Sequence, residues 1–169
     1  WIANNYALLL RDWAERRGAT NPNPGKVPAD VRKRIKRSGE VYEIAARLLP
    51  NEAQIQSDTG LMFEYYPAIR DDEKARQYFT RSLELSDYTY RDAFDGLYRL
   101  CQRTGDWATL LDYAEGVLGA IERGKQAVAP VGGGAPTELG PQQTQSLKAR
   151  AQAAAATARA SWGSRPTAA

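Results

Sequence analysis

Apolar side chains recur at spacings of three and four residues along the first 124 positions, and no sustained alternation of apolar and polar residues argues for strands. The pattern predicts helices over Tyr6 to Trp13, Val31 to Leu49, Ile55 to Tyr66, Glu73 to Leu85, Arg91 to Cys101 and Trp107 to Ile121. The breaks between them carry turn chemistry. Gly18 to Pro28 holds three prolines, so it is not helical through its middle, and the next helix opens at Pro28-Ala29 or Asp30. Pro50-Asn51 ends that helix, Asp71-Asp72 can cap the one starting near Glu73, and Ser86-Asp87 sits at the following junction. Gly105 separates the last two stretches. Glycine is favoured just past a helix end because it takes a left-handed conformation without a Cβ penalty.

Beyond residue 124 the pattern changes. Residues 125–141 are rich in Pro, Gly and Ala with little to bury, and read as a flexible linker. Gly132-Gly133-Gly134 lies there between Pro130 and Pro136, without the strand and helix that a phosphate-binding loop needs. Pro141 and an alanine-rich run then predict a helix over 142–162, followed by a disordered tail, 163–169. This helix is too weakly apolar to form a core alone. It can cap the last hairpin, dock into a groove, or reach a neighbouring subunit with Trp162 as the anchor; capping is the expectation.

The first six helices come in pairs of similar size, which suggests an internal repeat. Ala75 to Leu110 and Phe79 to Ala114 are both separations of 35 residues, close to the roughly 34-residue period of one helical-hairpin repeat. In the later pair Phe94, Leu97, Tyr98 and Cys101 form the inner face of the first helix, and Leu110, Ala114 and Val117 that of the second. In the middle pair Thr59, Gly60 and Phe63 face Ala75, Phe79, Ser82 and Leu85.

Residues 1–124 thus resemble the tetratricopeptide repeat (TPR) family, which alternates small and large residues where its two helices cross. Phe94, Leu97, the Gly105-Asp106 turn and Trp107 match in one unit, and Gly60, Ala75, Phe79 and Ser82 in another. Tyr6-Ala7, Tyr42, Ala45 and Pro50 match in the first. The departures are Leu110 where Ala is usual, the longer turn at "YYPAI", and the proline-rich insertion. The resemblance implies an all-α, TPR-like helical-hairpin solenoid of about three units, 1–50, 51–87 and 88–124. In it Trp107 would fill the helix crossing against Leu97 and Cys101. It further implies a non-enzymatic protein–protein interaction scaffold or assembly subunit, holding a peptide or partner helix as part of a larger complex. The groove-lining residues carried over from the family are Asn4, Leu8 and Arg11; Ser57, Leu61, Glu64 and Tyr65; and Asp95, Arg99, Gln102 and Arg103.

Composition narrows the chemistry. Histidine is absent and Cys101 is the only cysteine, which rules out an internal disulfide and removes imidazole and the usual zinc ligand sets. An enzyme would need a carboxylate pair such as Asp71 and Asp72, which read instead as capping residues, so no catalysis and no cofactor or metal is expected. The net charge is +3, with one basic run, "RKRIKR", where Arg32, Lys33, Arg34, Lys36 and Arg37 oppose the dipole of their helix. These side chains either pair with Glu40 and Glu43 or form the alternative function, binding RNA or an anionic membrane surface. Pairing is the expectation, with nucleic acid disfavoured, peripheral membrane contact open, and no transmembrane segment. The chain begins at Trp1, which reads as a processed product or part of a longer protein. A soluble, cytoplasmic location is the default, with localisation otherwise open.

Overall fold

The computed structural model describes residues 1–130 and 136–163. Helices dominate the described residues: α1 Ile2–Glu15, α2 Ala29–Leu48, α3 Ala53–Tyr65, α4 Asp72–Leu85, α5 Arg91–Thr104, α6 Trp107–Glu122 and α7 Pro141–Gly163. The one strand pair among the described residues is β1 Val128–Pro130 against β2 Pro136–Glu138, antiparallel with Ala129 opposite Thr137. The fold class is all-α. Two compact units divide the chain, residues 1–82 and 83–169. The division falls inside α4, so the first unit holds α1 to α3 and most of α4, and the second holds α5, α6, the strand pair and α7.

In residues 1–82 the core is built where small side chains let helices meet. Ala7 and Ala14 of α1 face Val31, Ile35 and Tyr42 of α2, with Met62 and Tyr66 completing the cluster. Ser38 donates to the Ala7 carbonyl at 2.8 Å, so a buried hydroxyl bridges the pair. The proline-rich insertion is tied in by buried Ala19 and Val27 and by Arg32, which donates to the Val27 carbonyl at 2.6 Å. After the turn at Pro50-Asn51, Gln56 donates to the Ala46 carbonyl at 3.2 Å, closing a helix-terminal acceptor. Helix α3 stops at Tyr65 because the residue before Pro67 is driven to extended backbone, and Tyr66 has φ −93 and ψ 110. Asp71 accepts from the Lys74 amide at 3.0 Å, the capping role read from sequence. Helices α3 and α4 approach closely at Gly60, where an added Cβ would stand 2.8 Å from the Phe79 ring.

In residues 83–169 the break between α5 and α6 follows its residues. Gly105 is left-handed at φ 70, ψ 22, and the Asp106 side chain accepts from the Thr109 amide at 3.3 Å. Phe94, Leu97, Leu100, Cys101, Leu110, Ala114 and Val117 are buried. Trp107 is only half-buried, contrary to expectation. It is the first residue of α6, and side chains of a helix lean back towards its start.

The segment expected to be a flexible linker is tied down where it is described. Ala127 and Ala129 are buried, the Val128 amide donates to Thr89 at 2.9 Å, and the Leu139 amide donates to Ala127 at 2.7 Å. Its composition suggested nothing to bury, yet alanine fills small spaces and the backbone donors find carbonyl partners. Gly132 to Gly134, and the tail after Gly163, lie outside the described residues. Helix α7 packs along α6 through a stripe of Leu147, Ala151, Ala154, Ala155 and Ala158, all buried. Small side chains allow a close interhelix approach, so an alanine face forms a core against another helix where it cannot alone. The Thr144 hydroxyl accepts from the Ala127 amide at 3.0 Å and fixes the start of α7.

Candidate interaction surfaces

The residues carried over from the TPR resemblance divide by burial. On α1, Asn4 is 5% exposed and its Oδ1 has no hydrogen-bond partner. Leu8 and Arg11 are half-buried. Arg11 donates to the Tyr42 hydroxyl at 3.5 Å and to Asp12 at 3.4 Å, while the Tyr66 hydroxyl donates to Glu15. Burial alone would lower the Arg11 pKa, but the hydroxyls of Tyr42 and Tyr66 and the carboxylates of Asp12 and Asp58 hold it above its ordinary value. Burial pushes Tyr42 up, and burial together with the bond to Glu15 pushes Tyr66 up. This is an internal polar cluster of the first unit.

On α3, Ser57 and Glu64 are buried, Leu61 is half-buried and Tyr65 is exposed. Asn4, Ser57 and Glu64 are therefore not on an open groove face. The reason is local: nine of the thirteen residues of α3 are buried, so assigning one face of this helix to solvent by its period fails.

The α5 set is different. Asp95 and Arg99 line a cleft of about 310 Å³ with Phe94, Tyr98, and Arg150 and Ala153 from α7. Asp95 pairs with Arg150, and exposed Gln102 donates to the Tyr98 hydroxyl at 2.9 Å. Arg103 is exposed beyond it. The walls are aromatic and aliphatic and the rim carries charge of both signs, which suits an apolar side chain flanked by polar backbone or charge. Asp95 and Arg99 were legible in the sequence; Arg150 and Ala153 were not, because they depend on where α7 docks.

The basic run on α2 pairs as expected at one position only. Arg37 meets Glu40 at 3.1 Å, but Glu43 is taken by Lys74 at 2.9 Å. Arg32 bonds to backbone carbonyls. Lys33, Arg34 and Lys36 are exposed, and among the described residues they form no ion pair. Instead the guanidinium carbon of Arg34 lies 4.0 Å from the centre of the Trp13 ring, and that of Arg17 lies 4.2 Å from it. The spacing of Trp13 and Arg17, one helical turn, was the available sequence signal for this cluster; the contact with Arg34 is long-range.

No protein-family model, curated protein or solved structure matches this chain.

Proposed function

We propose that the chain is a non-enzymatic interaction module, a TPR-like helical-hairpin solenoid that serves as a scaffold or assembly subunit by holding a peptide or partner helix. The observation that carries this reading is the cleft beside α5, where Asp95 and Arg99 meet the aromatic walls of Phe94 and Tyr98. The small-against-large approach of Gly60 to Phe79 and the left-handed turn at Gly105 support the repeat reading. So does α7, which covers α6 as a terminal cap covers the last unit of a repeat array. The partner segment presents one apolar side chain to Tyr98 and Ala153 above the buried Phe94, with a carboxylate or backbone carbonyl near Arg99 and Arg150.

A peptide-display selection on the full chain, followed by calorimetric titration of the enriched sequence, tests this. The expected result is a consensus with a single apolar anchor whose Kd weakens about tenfold or more in Tyr98→Ser and in Arg99→Ala. Enrichment of nothing, or of peptides indifferent to both substitutions, would contradict the assignment.

A further inference from the structure

We infer that the outer face of α1, together with the start of α2, docks on an anionic membrane surface. Helix α1 leaves one of its faces uncovered. Its inner face, Asn4, Ala7, Leu10 and Ala14, is buried. On the other side Ile2 is 89% exposed, Tyr6 47% and Leu9 66%. These three and Trp13 are four, three and four residues apart, so they lie in one stripe along the helix. The stripe runs into the Arg17–Trp13–Arg34 stack, beside a cleft of about 400 Å³ lined by Leu9, Asp12, Trp13, Arg16 and Arg17.

The charge at this end is not internally balanced. Between Arg11 and Arg37 the chain has nine Lys or Arg and three Asp or Glu. Asp12 is engaged by Arg11 at 3.4 Å. Arg16, Arg17, Lys33, Arg34 and Lys36 form no ion pair among the described residues. Two guanidinium groups, each about 4 Å from the centre of one indole ring, concentrate positive charge at this ring and gain from an external anion beside it. Phosphate oxygens suit the planar fork of arginine.

An anionic leaflet satisfies both halves of this surface at once. Its headgroups meet the cations, and its acyl boundary takes up Ile2, Tyr6 and Leu9, with Trp13 at the interfacial level that tryptophan favours. Nucleic acid answers only the charge: the Trp13 ring that bases would stack on is occupied by guanidinium groups, and a polyphosphate offers Ile2 and Leu9 nothing. Contact is peripheral, since no helix among the described residues is long and apolar enough to cross a membrane.

Co-sedimentation of the full chain with extruded vesicles decides it, comparing phosphatidylcholine alone with the same lipid containing about a quarter phosphatidylserine. The expected result is binding to the anionic vesicles only, weakening as salt rises. Arg17→Gln/Arg34→Gln should lower the partition coefficient about 30-fold, at roughly fivefold per cation. Arg16→Gln/Lys33→Gln, which disturbs no stacking, should do the same. Ile2→Ser/Leu9→Ser should lower it about tenfold or more with charge unchanged and with a wild-type circular dichroism spectrum. No binding to anionic vesicles overturns the inference, as does binding that ignores Ile2→Ser/Leu9→Ser. Capture of single-stranded RNA without vesicle binding overturns it in favour of nucleic acid.

Discussion

Tyr66 shows how one hydroxyl makes the first unit sensitive to pH. Its ring is 1% exposed and its hydroxyl donates to Glu15, so burial and the carboxylate raise its pKa well above the ordinary 10.0. A group raised in the folded state contributes stability that is fully present below its unfolded pKa and is lost as pH rises through the folded one. Tyr66 therefore costs stability from about pH 10 upwards, where the unfolded side chain ionises and the folded one does not. Urea midpoints measured between about pH 9 and pH 11 should fall more steeply for the wild type than for Tyr66→Phe; parallel lines would contradict this. Gly60 makes a steric point. Gly60→Ala adds a Cβ 2.8 Å from a ring carbon of Phe79, so overpacking of about 1–3 kcal/mol outweighs the gain in helix propensity of about 1 kcal/mol. A lower melting temperature is expected, and an unchanged or higher one would show that α3 and α4 are less tightly opposed. Trp107, half-buried, is a lesser support than its size suggests. Trp107→Ala should cost less than Phe94→Ala, whose ring is 1% exposed and whose loss costs about 3–5 kcal/mol; the reverse order in denaturant titrations would restore Trp107 to the core.

At the level of elements, α7 is an alanine helix that works by close approach. Ala154 is fully buried while Ala156 is exposed, so the two positions separate packing from helix propensity. Ala154→Leu should destabilise by about 1–3 kcal/mol and Ala156→Leu should change little. Equal effects would mean that α7 does not rest on α6 through this stripe. The helices were legible in the sequence because each is bounded by chemistry that acts locally: Asp71 capping α4, Pro67 beyond the end of α3, Gly105 after α5. The strand pair at 128–130 and 136–138 was not legible. Its short segments have no period, and its support comes from the distant Thr89 carbonyl. The periodic argument also failed at α3, since burial on nearly all sides removes the polar face on which it depends.

Across the whole molecule, charge and accessible chemistry are unevenly distributed. Residues 1–82 contain fourteen Lys or Arg and eleven Asp or Glu, whereas residues 83–169 contain nine of each, so the formal net charge of +3 belongs to the first unit. Two of the six residues that line the candidate cleft, Asp95 and Arg99, were named as groove residues from the sequence. The α5 residues Asp95 and Arg99 border an open cleft, whereas Asn4, Ser57 and Glu64 are buried. A family pattern marks helix faces, and only tertiary packing decides which faces stay open. The proposed occupant of the cleft beside α5 is a partner segment. The direct measurement is backbone and side-chain NMR of the full chain during titration with a display-selected peptide. Saturable shifts concentrated at Phe94, Asp95, Tyr98, Arg99, Arg150 and Ala153 are expected. Shifts centred on α1 and α2, or none at saturating peptide, would contradict it.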